Sequence, residues 1–471
     1  MRPLEIGLLI LIFISIVEPM LSFRKPRWVA YLSAITLIVA LAQILLEGYR
    51  WQMVPVYILA LAVFALNVKR MMRTPGEPSR VRPRTMVSAV IGLILLILVT
   101  LPPILFPVPG LPTPTGAYKI GTVTYDWVDS SRNEIYSKNS SDKREIMAQI
   151  WYPASPAPNA PTAPWMNRLD VVGPVMANYI HLPSFMLDHL TLTRTNSYPD
   201  APVSNQETRY PVVVYSHGWN GFIGVNANQM EALASHGYVA VAIAHSYGAM
   251  FTVFSDGRVA LNNPNALPSN APPDEFQRAS ETLEATYAAD VRFVLDQLTS
   301  LNSGKIDSRF AGKLDLDRIG LFGHSTGGGA IVLACSLDAR CKAGLGMDAW
   351  VVPVPKTVIP NPLSQPFMFM RSEVWATKEN DARLDELYGT LKNSDYRMTI
   401  RGTQHYDFTM IPLLTPLAPA LKLKGPLDGQ RAMQIVSDYL VAFFDKQLKA
   451  QTVPLLDGSS SAYPEVIFEK R

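Results

Sequence analysis

The chain has 471 residues, 48% of them hydrophobic and 17% charged, with a formal net charge of +3 and two cysteines. A soluble globular chain carries about 25% charged residues; this composition excludes a disordered or collagen-like chain, a strongly basic nucleic-acid binder, a disulfide scaffold and a cysteine-rich zinc module. The charge is unevenly spread, with 11 Lys/Arg against 4 Asp/Glu up to residue 108 and 31 against 35 beyond it.

Four apolar runs occupy the basic part: Ile6–Val17, Trp28–Leu46, Met53–Val68 and Met86–Leu101. A helix needs about 20 residues to cross about 30 Å of hydrocarbon, which the second and fourth runs supply and the first and third reach only with their flanks. The first run ends in Glu18-Pro19. It is not a signal peptide by pattern, since only Arg2 precedes it and no small-residue cleavage site follows. Residues 1–108 are therefore predicted to be a membrane anchor of about four helices, a buried soluble bundle being the competing reading. Arg24, Lys25 and Arg27 fall between runs one and two; Lys69, Arg70, Arg73, Arg80, Arg82 and Arg84 fall between runs three and four. Cationic loops stay cytoplasmic, so both termini face outward and everything after Leu101 is extracytoplasmic. Cys335 and Cys341, six positions apart, would be free to pair on that side, though two buried thiols fit the spacing as well.

Prolines from Pro102 to Pro114 make 109–117 a semi-rigid spacer. Beyond it, Ile120–Trp127 and Glu145–Tyr152 alternate as half-buried strands. A loop-and-helix insert over 161–200 carries Trp165, Met166, Val175, Met176, Tyr179, Ile180, Phe185, Met186 and Leu187. From Pro211 strands and helices alternate: strands at Val212–Tyr215, Val239–Ala244, Ile319–Phe322, Lys342–Met347, Phe367–Met370 and Arg397–Ile400, with a long amphipathic helix through Leu283–Leu298 and a closing one through Ile435–Leu448. Continuous apolar strands separated by amphipathic helices predict an α/β domain over 118–450, a mostly parallel sheet covered on both faces. Residues 451–471 are left as a tail.

Gly323-His324-Ser325-Thr326-Gly327 sits between a strand and a small-residue helix, the context in which G-x-S-x-G holds a nucleophilic serine on a sharp turn. A hydroxyl needs a base, and of seven histidines only His405 follows Ser325, one short turn after the last strand. Topology leaves the acid open between Asp348, at the end of one strand, and Glu373, after the next. An oxyanion needs two backbone donors. Thr326 follows the nucleophile, and the Ser216–Gly221 loop after an early strand nominates Trp219. No phosphate loop, zinc spacing or calcium loop is present, so neither metal nor cofactor is implied.

These residues resemble a known family. S-H-G-W-N-G (216–221), A-S-H-G-Y-V-A-V-A-I-A-H (234–245), G-H-S-T-G-G-G (323–329), M-D-A-W-V-V-P (347–353) and T-I-R-G-T-Q-H-Y-D-F-T (399–409) are similar to the plasma and intracellular type II platelet-activating factor acetylhydrolases, in family order from about Tyr118 to Leu448. The resemblance implies an α/β-hydrolase fold, Ser325 as nucleophile, His405 as base, Asp348 as acid with Glu373 as the alternative, and Trp219 and Thr326 as oxyanion donors. It also implies calcium independence, and it places the 161–200 insert where the family has apolar helices beside the site. Trp350, Phe185 and Met186 are the expected substrate contacts, with ordinary core packing the other reading of the insert. The four spans are not part of the family pattern. The expected function is a membrane-anchored serine hydrolase of lipid esters with short or modified acyl chains. A broad carboxylesterase or polyester hydrolase, an envelope acyltransferase, and a receptor with an inactive hydrolase domain are the alternatives. The partners implied are a lipid ester and a bilayer, with no nucleic acid.

Overall fold

The computed structural model describes residues 1–21, 27–71, 83–358, 363–375, 377–393 and 395–471. They form two compact units. One comprises Met1–Pro109, Leu169–Thr193 and Leu414–Leu417; the other holds the rest.

The first unit is helical: α1 (Pro3–Val17), α2 (Leu32–Leu46), α3 (Val54–Met71), α4 (Pro83–Leu105) and α5 (Leu169–Tyr179). Leu8, Ile12, Met53, Val56, Ala60 and Ala89 form its core, while Ile10, Ile38, Leu41, Leu61, Leu66 and Ile97 point outward and are more than half exposed. An apolar surface around an apolar core is what a hydrocarbon solvent requires. Among the described residues three stretches, Pro3–Met20, Trp51–Val68 and Pro83–Leu105, are long and apolar enough to cross a membrane, not four. The expectation fails at the second run, whose α-helix is 15 residues long. That is a rise of about 22 Å, because its first part, Arg27–Tyr31, is wound as a tighter 3₁₀ segment. Arg24, Lys25, Arg73, Arg80 and Arg82, which set the expected orientation, lie outside the described residues.

Hydropathy gave no sign of the buried ion pair in this unit. Arg50 donates from Nε and Nη2 to the two oxygens of Glu5, each at 2.7 Å, and from Nη1 to the Phe106 carbonyl at 2.6 Å. Both side chains are fully buried, so the bidentate geometry and the Phe106 carbonyl must together offset the desolvation of two charges. Part of the 161–200 insert belongs here too, where the sequence grouped it with the catalytic domain. Trp51 Nε1 donates to the Met186 carbonyl at 3.2 Å and its ring meets Phe185 edge-on at 5.5 Å.

The second unit holds a ten-stranded sheet among the described residues. Its strands are β1 (Lys119–Asn133), β2 (Lys143–Ala154), β3 (Ser197–Pro199), β4 (Tyr210–Ser216) and β5 (Val239–Ala244), and, after a small hairpin of β6 (Phe251–Val253) and β7 (Val259–Leu261), β8 (Leu314–His324), β9 (Cys341–Met347), β10 (Phe367–Ser372), β11 (Tyr396–Ile400) and β12 (Val466–Lys470). The order is β12-β11-β10-β9-β8-β4-β5-β2-β1-β3. From β5 through β11 the pairing is parallel; β2 and β12 add antiparallel edges. β4 and β5 are buried at every position, as strands covered on both faces must be.

Helices α6 (Ala227–Ser235) and α10 (Gly429–Lys449) pack together, as do α7 (Pro273–Asn302) and α8 (Thr326–Leu337), with α9 (Lys378–Thr390) between β10 and β11. Alternation along β8 separates the two faces: Phe322 meets Phe444 of α10 at 6.3 Å, while Ile319 and Leu321 join the cluster containing Val291 and Val294 of α7. The 451–471 tail is structured at its end, since β12 pairs Val466 with Ile400 and Lys470 with Tyr396. Cys335 and Cys341 are joined by a disulfide.

Candidate active site

The carboxyl ends of parallel strands are where an open α/β sheet presents its chemistry. Ser325 follows β8, Asp348 follows β9 and His405 lies in the loop after β11. Ser325 has φ +55° and ψ −123°, a conformation no β-branched or bulky residue tolerates well. Neighbours enforce it. A side chain at Gly323 would overlap the Gly327 carbonyl, and one at Gly327 the Ser216 carbonyl. Ser325 N donates to the Met347 carbonyl at 3.0 Å and Trp350 N to the Ser325 carbonyl at 2.9 Å, so the Ser325 turn and the loop carrying Asp348 hold each other. Asp348 is also left-handed, at φ +41°.

His405 Nδ1 lies 3.0 Å from Asp348 Oδ2. The same carboxyl accepts the Ser372 amide on Oδ1 and the Ser372 hydroxyl on Oδ2, each at 2.7 Å. Glu373, the alternative acid, turns away and accepts the Gly402 amide at 2.6 Å. Burial raises Asp348 to about 7, opposed by the two hydrogen bonds from Ser372. Burial pushes the His405 imidazole down to about 3. A neutral imidazole with its proton on Nδ1 leaves Nε2 free to accept one.

Around His405 stand residues for which the sequence offered no role. Trp375 stacks on its ring at 4.4 Å, and its amide donates to the Ser372 hydroxyl at 3.2 Å. His324 packs on the other side at 4.3 Å, with Nε2 at 3.0 Å from the His405 carbonyl. It packs on His405 while Asp348 takes Nδ1 of that ring. Asp407 ties the loop by accepting from Gln404 and Gly425 amides at 2.8 and 2.7 Å. Only the position of Ser372, one residue before a candidate acid, was a usable signal for any of these.

The Ser216–Gly221 loop approaches Ser325 from β4. A Cβ on Gly218 would stand 2.8 Å from Ser325 Cβ, so only glycine allows this closeness. The Asn220 amide donates to Gly248 and the Gly221 amide to Gly218, while Gly328 and Gly329 donate to Ser325. Among the described residues the Trp219 and Thr326 amides have no such turn or loop acceptor. Of the expected substrate contacts, Trp350 belongs to this unit, two residues beyond Asp348, and Phe276 packs on its ring at 6.1 Å. Phe185 and Met186 belong to the helical unit.

Comparison with known proteins bears on this arrangement. The family model for platelet-activating factor acetylhydrolase, isoform II, matches residues 106–455. The dog platelet-activating factor acetylhydrolase is 26% identical over 257 residues, covering 51% of this chain and 57% of the relative. A fungal protein from Arthroderma benhamiae, named as a probable 1-alkyl-2-acetylglycerophosphocholine esterase, is 24% identical over 396 residues, covering 76% and 93%. The chain spans about three fifths of the length of the vertebrate relatives it matches. Among solved structures, a ferulic acid esterase from Streptomyces cinnamoneus superposes with a TM-score of 0.63 at 27% identity, covering 77% of this chain and 99% of that one. With the match running through every strand end that carries a site residue, this chain belongs to the platelet-activating factor acetylhydrolase, isoform II, family of α/β-hydrolase proteins.

Proposed function

We propose that this protein is a serine hydrolase of lipid esters with short or modified acyl chains, anchored in a membrane by its helical unit. The single observation carrying the reading is the Asp348–His405 pair at 3.0 Å on the same sheet edge as a strained, left-handed Ser325. Ser325 Oγ attacks the ester carbonyl carbon as its proton passes to His405 Nε2, and Asp348 stabilises the imidazolium. The Thr326 and Trp219 amides take the oxyanion. Collapse breaks the bond to the alcohol, whose oxygen leaves with the proton from His405. Water then attacks the acyl-enzyme, giving its proton to His405, and the acid departs as Ser325 is reprotonated. Trp350 is the proposed acyl contact.

The family supports a lipid ester, and the fungal relative's name supports a short acyl group on a phospholipid. The cationic residues between α3 and α4 support a hydrolase unit on the far side of the membrane, an orientation that needs only α4 to cross. The disulfide suits that oxidising side. The ferulic acid esterase neighbour favours a second reading, a broader carboxylesterase.

The test is turnover of p-nitrophenyl esters of increasing chain length, with an active-site phosphonate and the Ser325→Ala variant. Phosphonate labelling at Ser325, preference for acetyl, rates unchanged by a calcium chelator, and a roughly 10³–10⁴-fold lower kcat in Asp348→Asn are expected. Preference for long or aryl acyl groups would favour the carboxylesterase; no Ser325-dependent turnover would refute both readings.

A further inference from the structure

A second serine–histidine–aspartate alignment lies beneath the first. Ser216 Oγ is 2.8 Å from His245 Nε2, and His245 Nδ1 is 2.9 Å from Asp290 Oδ2. All three residues are fully buried. With no solvent at Ser216, the alignment has no room for an ester and is not another active site. Its importance lies in what it holds.

Asp290, on α7, takes Nε and Nη2 of the buried Arg144 at 3.0 and 2.5 Å. The guanidinium keeps this carboxyl below the usual range even though burial opposes it. An ionised Asp290 accepts, so His245 carries its proton on Nδ1 and its Nε2 accepts the Ser216 hydroxyl. The His245 ring is held flat against Tyr287 at 3.7 Å. Its backbone amide donates to His217 Nε2 at 3.2 Å. His217 is thereby also fixed with its proton on Nδ1, which donates to the Gly218 carbonyl at 2.7 Å. The Gly221 amide donates to the same carbonyl at 2.9 Å.

A trans peptide is planar, with its C=O and the following N–H on opposite sides. Fixing the Gly218 carbonyl toward the His217 ring therefore turns the Trp219 N–H the other way. Gly218 itself stands against Ser325, whose Cβ would lie 2.8 Å from a side chain there. The Trp219 side chain packs with Leu283, Tyr287 and Ala330, which fixes the other end of the same peptide. We infer that the buried Asp290–His245–His217 relay sets the plane of the Gly218–Trp219 peptide and so preforms the oxyanion hole before substrate arrives. His217, His245 and Asp290 are then positioning residues, touching no reacting atom. The inference rests on the esterase reading above for its catalytic consequence, and on peptide geometry alone for its structural one.

Two His217 variants separate this role from packing. Leucine fills the space without a donor; asparagine returns a donor close to the position of Nδ1. His217→Leu should lower kcat about 10²–10³-fold, the usual cost of losing one oxyanion donor, with KM within roughly threefold. His217→Asn should recover at least about tenfold of that loss. Binding of a trifluoromethyl ketone, which forms a tetrahedral oxyanion on Ser325, should weaken in proportion to kcat. Ser216→Ala, which removes one hydroxyl and is the safer variant for folding, should lower kcat by about 3–10-fold, as expected for one neutral hydrogen bond. Unchanged kcat in Ser216→Ala and His217→Leu, or no rescue by asparagine, overturns the relay while leaving the esterase reading intact. A crystal structure of His217→Leu gives a readout free of activity: the Gly218 carbonyl should rotate toward Ser325. An unrotated peptide overturns the inference even if the protein turns over no ester.

Discussion

Ser372 is the residue by which the charge state of the proposed triad can be moved without touching its members. Its hydroxyl donates to Asp348 Oδ2 at 2.7 Å, the oxygen that also faces His405, inside a site where Asp348 is 2% exposed. A hydrogen bond to a buried carboxylate contributes about 1.5–3 kcal/mol, and about 1.4 kcal/mol is one pKa unit. In Ser372→Ala the ionised form of Asp348 loses that bond while keeping the one from the Ser372 amide. The carboxyl, already raised to about 7 by burial, should rise a further one to two units or so. Catalysis needs Asp348 ionised to orient a neutral His405, so protonation of the pair extinguishes it. The acid limb of kcat/KM, expected near 7 in the parent, should therefore move upward in Ser372→Ala, leaving the rate at pH 6 lower by about 10–100-fold and the rate at pH 9.5 much less affected. The measurement is a pH–rate profile with p-nitrophenyl acetate from pH 5 to 10, subtracting Ser325→Ala. Because the two groups titrate as a pair, the limb belongs to the pair and not to one residue. A limb that stays in place, or moves to lower pH, refutes the reasoning. So does a pH-independent loss of rate, which would assign Ser372 to packing through the Trp375 amide.

Two further outcomes concern stability. Glu5→Ala leaves Arg50 buried without its carboxylate and should destabilise the helical unit by about 3–5 kcal/mol, read as thermal unfolding in nanodiscs; Glu5→Ala/Arg50→Met should recover a large part, and an additive double variant would contradict the pairing. Cys335→Ser/Cys341→Ser opens a short loop and should cost about 2 kcal/mol by chain entropy, seen as a lower urea midpoint in the double variant than in the oxidised parent; equal midpoints would contradict a stabilising bridge.

What the sequence made legible was whatever local rules constrain. Gly323 and Gly327 are demanded by backbone closeness within five residues, so the sharp turn at Ser325 was readable directly. His405 followed by elimination, as the one histidine after Ser325. The acid was not readable from topology, because Asp348 and Glu373 both end strands; only the fold, through the φ of +41° at Asp348 and the Gly402 bond at Glu373, distinguishes their geometry. Ser372 and Trp375 meet His405 only once β10 and β11 lie side by side. The second run misled because hydropathy reports polarity and not winding. Apolar residues continue from Trp28, but the α-helix starts at Leu32. The Arg50–Glu5 pair joins residues 45 positions apart across two helices, beyond any sliding window. The tail was left unassigned because a five-residue edge strand carries almost no periodic signal.

The distribution of the helical unit along the chain bears on how this protein can be cut and how it came to be assembled. Leu169–Thr193 and Leu414–Leu417 belong with the first 109 residues, and Thr415 donates to the Leu105 carbonyl at 2.8 Å. The helical unit is therefore not a single N-terminal segment. A version starting at residue 110 would keep the 169–193 segment and lose Trp51, against which Phe185 rests. Removing the helical unit as a whole would require cutting the chain at three segments, and a lineage that gained or shed it would have had to rewrite all three together.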